Sequence, residues 1–177
     1  MKMYLWNRQK GAAIFIALIM LLVMTIIGIT ASQTTTLEEK MAGNLRDQTV
    51  AFQAGEAVLR ATETWIDNLT DEPTTVTSCT SGCDSTVWQK DMLDLASAAT
   101  WSSTSVRINY TGLPTGYGQV AAQPKSVVEH YFFVSDSFNT GKQTDVSGQL
   151  FYRVTANGTG GTTSAQSLLQ TTYSRRF

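Results

Sequence analysis

The chain contains two cysteines, Cys79 and Cys83, separated by three residues. Paired thiols can bind a metal ion, exchange disulfides or form a structural disulfide, depending on the redox compartment. A zinc site needs two further ligands, and the chain has a single histidine. The spacing also differs from the Cys-x-x-Cys of redox enzymes. In an oxidising compartment the pair predicts a disulfide that closes a small loop and stabilises the folded state by about 2 kcal/mol.

The other residues with catalytic or ligating chemistry are isolated in the sequence. His130 lies in a strand-like pattern, which favours a histidine on a polar strand face over a Ser-His-Asp triad. Asp136, Asn139 and Asp145 could bind Ca²⁺ in a loop, but their spacing matches no EF-hand, so a solvated loop is favoured. The sequence therefore predicts no catalytic site, no metal site and no cofactor.

Charge is distributed unevenly along the chain. Three cations precede every acidic residue: Lys2, Arg8 and Lys10. No further charge appears until Glu38, and the formal net charge of the whole chain is −1. Broad binding to nucleic acid needs clustered Lys and Arg, so no nucleic-acid partner is predicted.

An uncharged apolar segment runs from Ala12 to Ala31. At the helical rise per residue this segment covers about 30 Å, the thickness of the hydrocarbon core of a bilayer. The cations on its short N-terminal side place that end in the cytoplasm. The sequence therefore predicts a single-pass helix in the inner membrane, with all later residues on the other side.

A stripe of helical period continues beyond the membrane segment. Its positions are spaced by three or four residues and are mostly apolar: Leu37, Met41, Leu45, Gln48, Phe52, Gly55, Leu59, Thr62, Ile66 and Leu69. No turn signal separates the stripe from the membrane segment, so one helix of roughly 87 Å is predicted from Ala12 to about Leu69. A cleaved signal peptide would have a shorter apolar core. Such a helix suits a subunit that packs through it.

The N-terminal residues carry a family resemblance. A basic leader ends in Arg-Gln-Lys-Gly at position 11, directly before the apolar helix. Five segments are similar to the PilX-type minor pilins of the type IV pilus: 11–25, 36–47 with its Glu-Glu-Lys-Met-Ala-Gly-Asn run, 51–60 and, more weakly, 152–160 and 169–173. The first sixty residues are covered most densely.

This resemblance implies a type IV pilin-like fold and a minor pilin that helps to initiate pilus assembly as part of a tip complex. It implies that residues 1–11 form a leader, which a prepilin peptidase cuts between Gly11 and Ala12 before Ala12 is methylated. The implied partners are other minor pilins and the major pilin, through the N-terminal helix, and a tip adhesin. The mature protein would leave the inner membrane for a pilus on the cell surface, which serves attachment and twitching motility.

One position departs from the general pilin pattern. Most pilins carry Glu five residues after the cut, where it neutralises the terminal amine of the neighbour nearer the tip, but this chain has Ile16 there. A buried, unpaired amine costs several kcal/mol. The chain could therefore offer its own amine to a subunit below but could not neutralise one above. This asymmetry predicts a place at or near the tip.

Residues 70–177 predict one extracytoplasmic α+β domain. A polar segment over 71–84 ends the long helix, and a short helix is expected from Val87 to Ala98. Strands are expected at 106–110, 127–134, 150–156 and 167–173, with a turn at 157–161. These four strands would form an antiparallel sheet against the second half of the long helix, 12–69.

Five further side chains are assigned from pattern alone. Trp65, Trp88 and Trp101 are expected in the core, whereas Arg175 and Arg176 are expected in a frayed, solvated end.

Two alternatives to a type IV minor pilin remain open. A minor pseudopilin of type II secretion would share the processing but act in a short periplasmic structure. A membrane-anchored periplasmic enzyme or sensor would keep its first residues, or lose about thirty-one as a signal peptide. The sequence favours the pilin and predicts that the protein is not an enzyme.

Overall fold

The computed structural model describes residues 11–79, 86–102, 108–109, 120–136 and 148–177. The elements follow in the order helix α1 (Ala12–Asp67), strands β1 (Thr75–Val76) and β2 (Val87–Gln89), helix α2 (Ala98–Ser102), and strands β3 (Ile108–Asn109), β4 (Lys125–Ser135), β5 (Gly148–Thr159) and β6 (Gln166–Arg176). The chain divides into two compact units, the first ending at Asn44 and the second beginning at Leu45.

The described part of the first unit is Gly11 and the N-terminal portion of α1. Its side chains are exposed throughout, and its threonines bond back to the preceding turn. Thr25 Oγ1 donates to the Leu22 carbonyl at 2.7 Å, and Thr30 Oγ1 donates to the Ile27 carbonyl at 2.9 Å. A hydroxyl bonded within its own helix needs no water. Among the described residues, α1 is the one helix long and apolar enough to cross a membrane.

The second unit contains a mixed sheet in the order β1-β2-β4-β5-β6, with β3 also paired to β4. The pairs β3–β4, β4–β5 and β5–β6 are antiparallel, which confirms the predicted antiparallel strands. The sheet is larger than predicted because β1 and β2 join it in parallel. These two strands have only two and three residues, too few to show a period in the sequence.

The C-terminal portion of α1 covers one face of this sheet, here called the inner face. Its residues Val58, Leu59 and Ile66 form one apolar cluster with inward side chains of the sheet: Val87, Val128, Leu150, Tyr152, Val154 and Ala156. Thr62 adds a buried hydrogen bond of 2.6 Å between its hydroxyl and that of Ser126 on β4. Burial of this apolar surface is the main stabilising contribution. The architecture is α+β, as predicted.

The opposite, outer face carries a second apolar cluster. Trp88, Trp101 and Val127 are buried there, with Leu93 and Leu95 packed against them. Trp88 and Trp101 therefore lie in the core, as predicted, and Trp65 is partly buried against the inner cluster.

The predicted helix from Val87 to Ala98 is wrong. Val87 belongs to the cluster on the inner face and Trp88 to the cluster on the outer face, which is the alternation of a strand. Met92, which would lie on the same helix face as Trp88, is 48% exposed. Only α2, five residues long, is helical near this segment.

The predicted turn at 157–161 is also wrong in its position. Asn157, Gly158 and Thr159 pair with β6 and continue β5. Gly158 is needed because the helix backbone approaches closely. A Cβ at this position would lie 2.0 Å from the Ala51 carbonyl oxygen and 2.4 Å from the Gly55 nitrogen. The glycine marks a close helix–strand contact, not a turn.

The C-terminal end of α1 is bound by the last strand. The Arg175 guanidinium donates hydrogen bonds to the carbonyl of Ile66, in the last turn of α1, and to that of Leu69, two residues beyond the helix. Tyr173 Oη donates to Asp67 at 2.6 Å. The expected frayed end is therefore wrong, because Arg175 lies in a paired strand and caps the helix.

Candidate assembly site

The junction between leader and helix lies at Gly11. Its φ of +140° lies in a region that side-chain-bearing residues rarely adopt, and a Cβ there would meet no atom within 4 Å. Helix α1 begins at the next residue, Ala12, and both residues are exposed. The remaining leader residues, 1–10, lie outside the described residues. The predicted cut would thus fall between a glycine with positive φ and the first residue of a helix.

The N-terminal turns of α1 present a continuous apolar surface. Ile16 is 58% exposed. The large side chains around it are also exposed: Ile14, Phe15, Leu18, Ile19, Met20, Leu21, Leu22, Val23 and Met24. None of the residues from Ala12 to Leu37 can ionise, so this surface offers no carboxylate to a neighbouring amine.

The predicted stripe is exposed in its first part and buried in its last part. Its last positions, including Leu59 and Ile66, are buried on the sheet. Its first positions remain exposed, with Met41 at 62% and Leu45 at 67%. Phe52, at 48%, is also exposed although its neighbour Ala51 is fully buried. The exposed positions are apolar surface that this chain does not cover itself.

Asp47 ties α1 to the turn between β5 and β6. Its carboxylate accepts hydrogen bonds from the Gly161 amide, the Thr162 amide at 3.2 Å and the Thr162 hydroxyl. The hydroxyl bond is the main reason that the pKa of Asp47 lies below its ordinary value, and the amide bonds act in the same direction. This contact fixes the turn beside the point where α1 starts to be buried.

Family comparisons match both parts of the chain. The family model described as PilX N-terminal matches residues 10–60, and the one described as type IV pilus assembly protein PilX C-term matches residues 65–175. The chain belongs to the PilX family. It is a type IV pilus minor pilin, a structural component that interacts with other pilus components. No curated protein and no solved structure matches the chain.

Several residues singled out by sequence are dispersed over this PilX protein. Cys83, Asn139 and Asp145 lie outside the described residues, and Cys79 packs against the outer cluster. Asp136 bonds Arg176 at 3.0 Å. In the described part of the chain, no group of three His, Cys, Asp or Glu residues is placed to hold a metal ion.

His130 lies in β4 and is half-buried. Its ring meets the Tyr152 ring edge-on, with 6.3 Å between the centroids. It also lines an open cleft of about 470 Å³ together with Glu72 and Pro73. The predicted position in a strand is confirmed, but the ring contacts Tyr152 of the inner apolar cluster, so the strand face is not the polar one expected.

Sequence reasoning missed one ionic cluster on the outer face of the PilX sheet. Glu129 is fully buried and accepts hydrogen bonds from Arg153 Nε at 2.8 Å and from the Asp91 amide at 3.1 Å. Arg153 also bonds the Asp91 carboxylate at 2.6 Å. These bonds, that to Glu129 first, raise the pKa of Arg153. The only signal in the sequence was Glu129, a charged residue at an otherwise apolar position of a strand.

Proposed function

We propose that this minor pilin helps to initiate type IV pilus assembly and occupies a position at or near the pilus tip. The observation that carries the proposal is Ile16, an exposed apolar residue at the fifth position of α1, where the chain offers no carboxylate. A subunit without this carboxylate leaves the amine of any subunit above it unpaired in an apolar environment, which is costly. A subunit below is not affected, because this chain can offer its own terminal amine to that subunit.

Before assembly, α1 holds the protein in the inner membrane as a single span with the N-terminus in the cytoplasm. Three cations precede the apolar segment, which supports this orientation. During assembly the helix leaves the lipid and packs against the helices of other minor pilins and of the major pilin. Its exposed apolar residues, such as Met41 and Leu45, are then buried by neighbouring subunits without exposure to water.

Processing precedes assembly in this proposal. A prepilin peptidase cuts between Gly11 and Ala12, and the new terminal amine of Ala12 is methylated. The absence of a side chain at Gly11 supports this, because a residue without a Cβ can adopt the extended backbone that a protease binds without placing a side chain in the cleft.

The mass of the mature N-terminal peptide tests the processing. Protein isolated from membranes should begin at Ala12 and carry one methyl group on its amine. An N-terminus at Met1, or one near Ser32, would instead fit an anchored periplasmic protein or a cleaved signal peptide and would contradict the proposal.

A substitution at Ile16 tests the position in the pilus. Ile16→Glu supplies the missing carboxylate, so the variant should enter the shaft as well as the tip and be detected along sheared pili by immunolabelling. Ile14→Glu is a matched control, because it places the same charge one half-turn away. Unchanged tip-restricted labelling of Ile16→Glu would contradict the role of this position.

Deletion of the gene tests the pilus against the secretion alternative. Loss of surface pili, with normal export of secreted enzymes, is expected. The opposite pattern would indicate a pseudopilin. A tip adhesin is a further proposed partner, and it should disappear from sheared surface fractions in the same deletion strain.

The two cysteines complete the proposal. We expect a Cys79–Cys83 disulfide in the mature protein, because the outward compartment is oxidising. Intact-mass measurement of the protein alkylated without reductant should find neither cysteine modified. Alkylation of both would contradict the disulfide.

A further inference from the structure

One described segment packs on the outer face of the sheet, where Val76 and Cys79 also contact the apolar cluster. This segment, residues 91–102 and here called the strap, follows β2 and ends with α2. It contributes Leu93, Leu95 and Trp101 to the outer apolar cluster, where they cover Trp88 and Val127. The Trp101 indole N–H donates to the Leu95 carbonyl at 2.9 Å, so the strap is folded on itself around this side chain.

The first end of the strap is held by ions. Asp91 has a φ of +60°, a conformation that costs a residue with a side chain some free energy. Its amide donates to buried Glu129, and its carboxylate bonds Arg153, which also bonds Glu129. Two residues of neighbouring strands, β4 and β5, therefore hold a turn that is otherwise unfavourable.

A cation binds the second end of the strap. Lys125 Nζ, at the start of β4, donates to the Trp101 carbonyl at 2.8 Å. Between the two ends, polar groups of the strap bond one another. Thr100 Oγ1 donates to the Asp94 carbonyl at 2.6 Å, and the Asp94 carboxylate accepts the Ala96 amide at 3.1 Å. The strap therefore has contacts within itself, and it is attached to the sheet at both ends and through its apolar side chains.

The strap and α1 lie on opposite faces of the sheet. The cluster that α1 buries contains Val128 and Tyr152, whereas the strap buries Val127 and Trp88. We propose that the strap is a cover that opens locally, exposing Trp88 and Val127 while the helix–sheet core stays folded. Separate apolar clusters are the condition for separate opening, because neither loses its own contacts when the other opens.

Hydrogen exchange on the full-length protein in detergent micelles tests the proposal. In the wild type, the hydrogen-bonded amides of Asp91, Ser97 and Thr100 should exchange faster than those at the centre of β5. Asp91→Asn should accelerate exchange of the strap by roughly two- to fivefold, the range expected for a partly exposed ion pair. Glu129→Gln, which removes a buried charge, should accelerate it by roughly tenfold or more. Exchange of β5, β6 and the part of α1 after Leu45 should not change.

Asp136→Asn is the matched control. It removes a less exposed carboxylate, directly after β4, from its pair with Arg176, and the described contacts of Asp136 do not include the strap. It should leave strap exchange unchanged. The proposal is overturned if strap amides exchange as slowly as those of β5, if Asp91→Asn has no effect or accelerates β5 equally, or if Asp136→Asn matches the effect of Asp91→Asn.

Discussion

Residues without bulky side chains determine how closely α1 approaches the sheet. Gly158 on β5 lies against the backbone of Ala51 and Gly55. A Cβ at Gly55 would come within 2.9 Å of Leu169 Cδ1 on β6. Close backbone approach lets the buried side chains farther along the helix, such as Val58, reach the sheet without a gap.

We expect Gly158→Ala to destabilise the second unit by more than about 2 kcal/mol, because the new methyl group would overlap backbone atoms that cannot move independently. Urea unfolding of the full-length protein in detergent measures this. Gly43→Ala is the control. A Cβ at Gly43 meets no atom within 4 Å, so this helical substitution should be neutral or stabilise by up to about 1 kcal/mol.

Asp47 gives a pH dependence with a defined sign. The pKa of its carboxyl is lowered from the ordinary value of 3.8 in the folded state, mainly by the Thr162 hydroxyl. Its contribution is therefore fully present above the unfolded-state pKa and is lost as pH falls through the lower, folded-state pKa. Thermal unfolding measured from pH 6 downward should show a decline below about pH 4 that is smaller in Asp47→Asn. An identical decline in both proteins would contradict this contribution.

Both ends of the buried part of α1 are attached to the β5–β6 hairpin. Asp47 accepts bonds from the turn before the hairpin's last strand, and the Ile66 carbonyl in the last turn of the helix accepts a bond from Arg175 near the strand's end. The helix therefore receives its cap from another element, at a residue more than a hundred positions later in the chain. Such a cap cannot be read from the residues around Asp67 alone.

Arg175→Gln should destabilise the protein by about 2 kcal/mol, since it removes charged hydrogen bonds from the carbonyls of Ile66 and Leu69. Arg176→Gln changes the next residue but loses only an exposed ion pair with Asp136, so its effect should stay below about 1 kcal/mol. Chemical unfolding of the two variants side by side provides the comparison. Equal effects would show that the cap does not contribute.

The elements predicted best from the sequence are those long enough to show a clear hydrophobic period. Helix α1 has an apolar pattern over many turns, and β4, β5 and β6 each have eleven or twelve residues. Strand β2 was predicted as helix because three residues show no period, and nearby apolar residues happened to fit a helical spacing. Its strand character comes from parallel pairing with β4, a contact between distant residues.

The proposed assembly site has local signals in the sequence, whereas the pairing within the ionic cluster has none. Gly11 and Ile16 were identified by family resemblance, which depends on short runs of neighbouring residues. Glu129 and Arg153 are paired by the register between β4 and β5, and Asp91 joins them through a turn with a positive φ. A register depends on the whole sheet, so no local pattern predicts it.

The assembled molecule requires surfaces that its own fold leaves uncovered. Met41→Asp and Leu45→Asp each place a charge at an exposed position, so the thermal unfolding midpoint should remain unchanged. Incorporation into sheared pili should fall at least tenfold, because burying an unpaired charge between subunits costs several kcal/mol. Asn44→Asp, an exposed position beside the stripe, is the control and should assemble normally. Normal incorporation of both stripe variants would contradict packing through this surface.

A filament under tension transmits force along the helices of its subunits. In this chain β6 runs in the same direction as the part of α1 that it contacts, since Asp47 meets Thr162 and Ile66 meets Arg175. Load on the helix therefore pulls β6 along its own axis and shears all eleven residue pairs between β5 and β6 at once. Bonds loaded together resist pulling better than bonds that open one after another, so we expect the last strand to strengthen the subunit against pulling in the proposed filament.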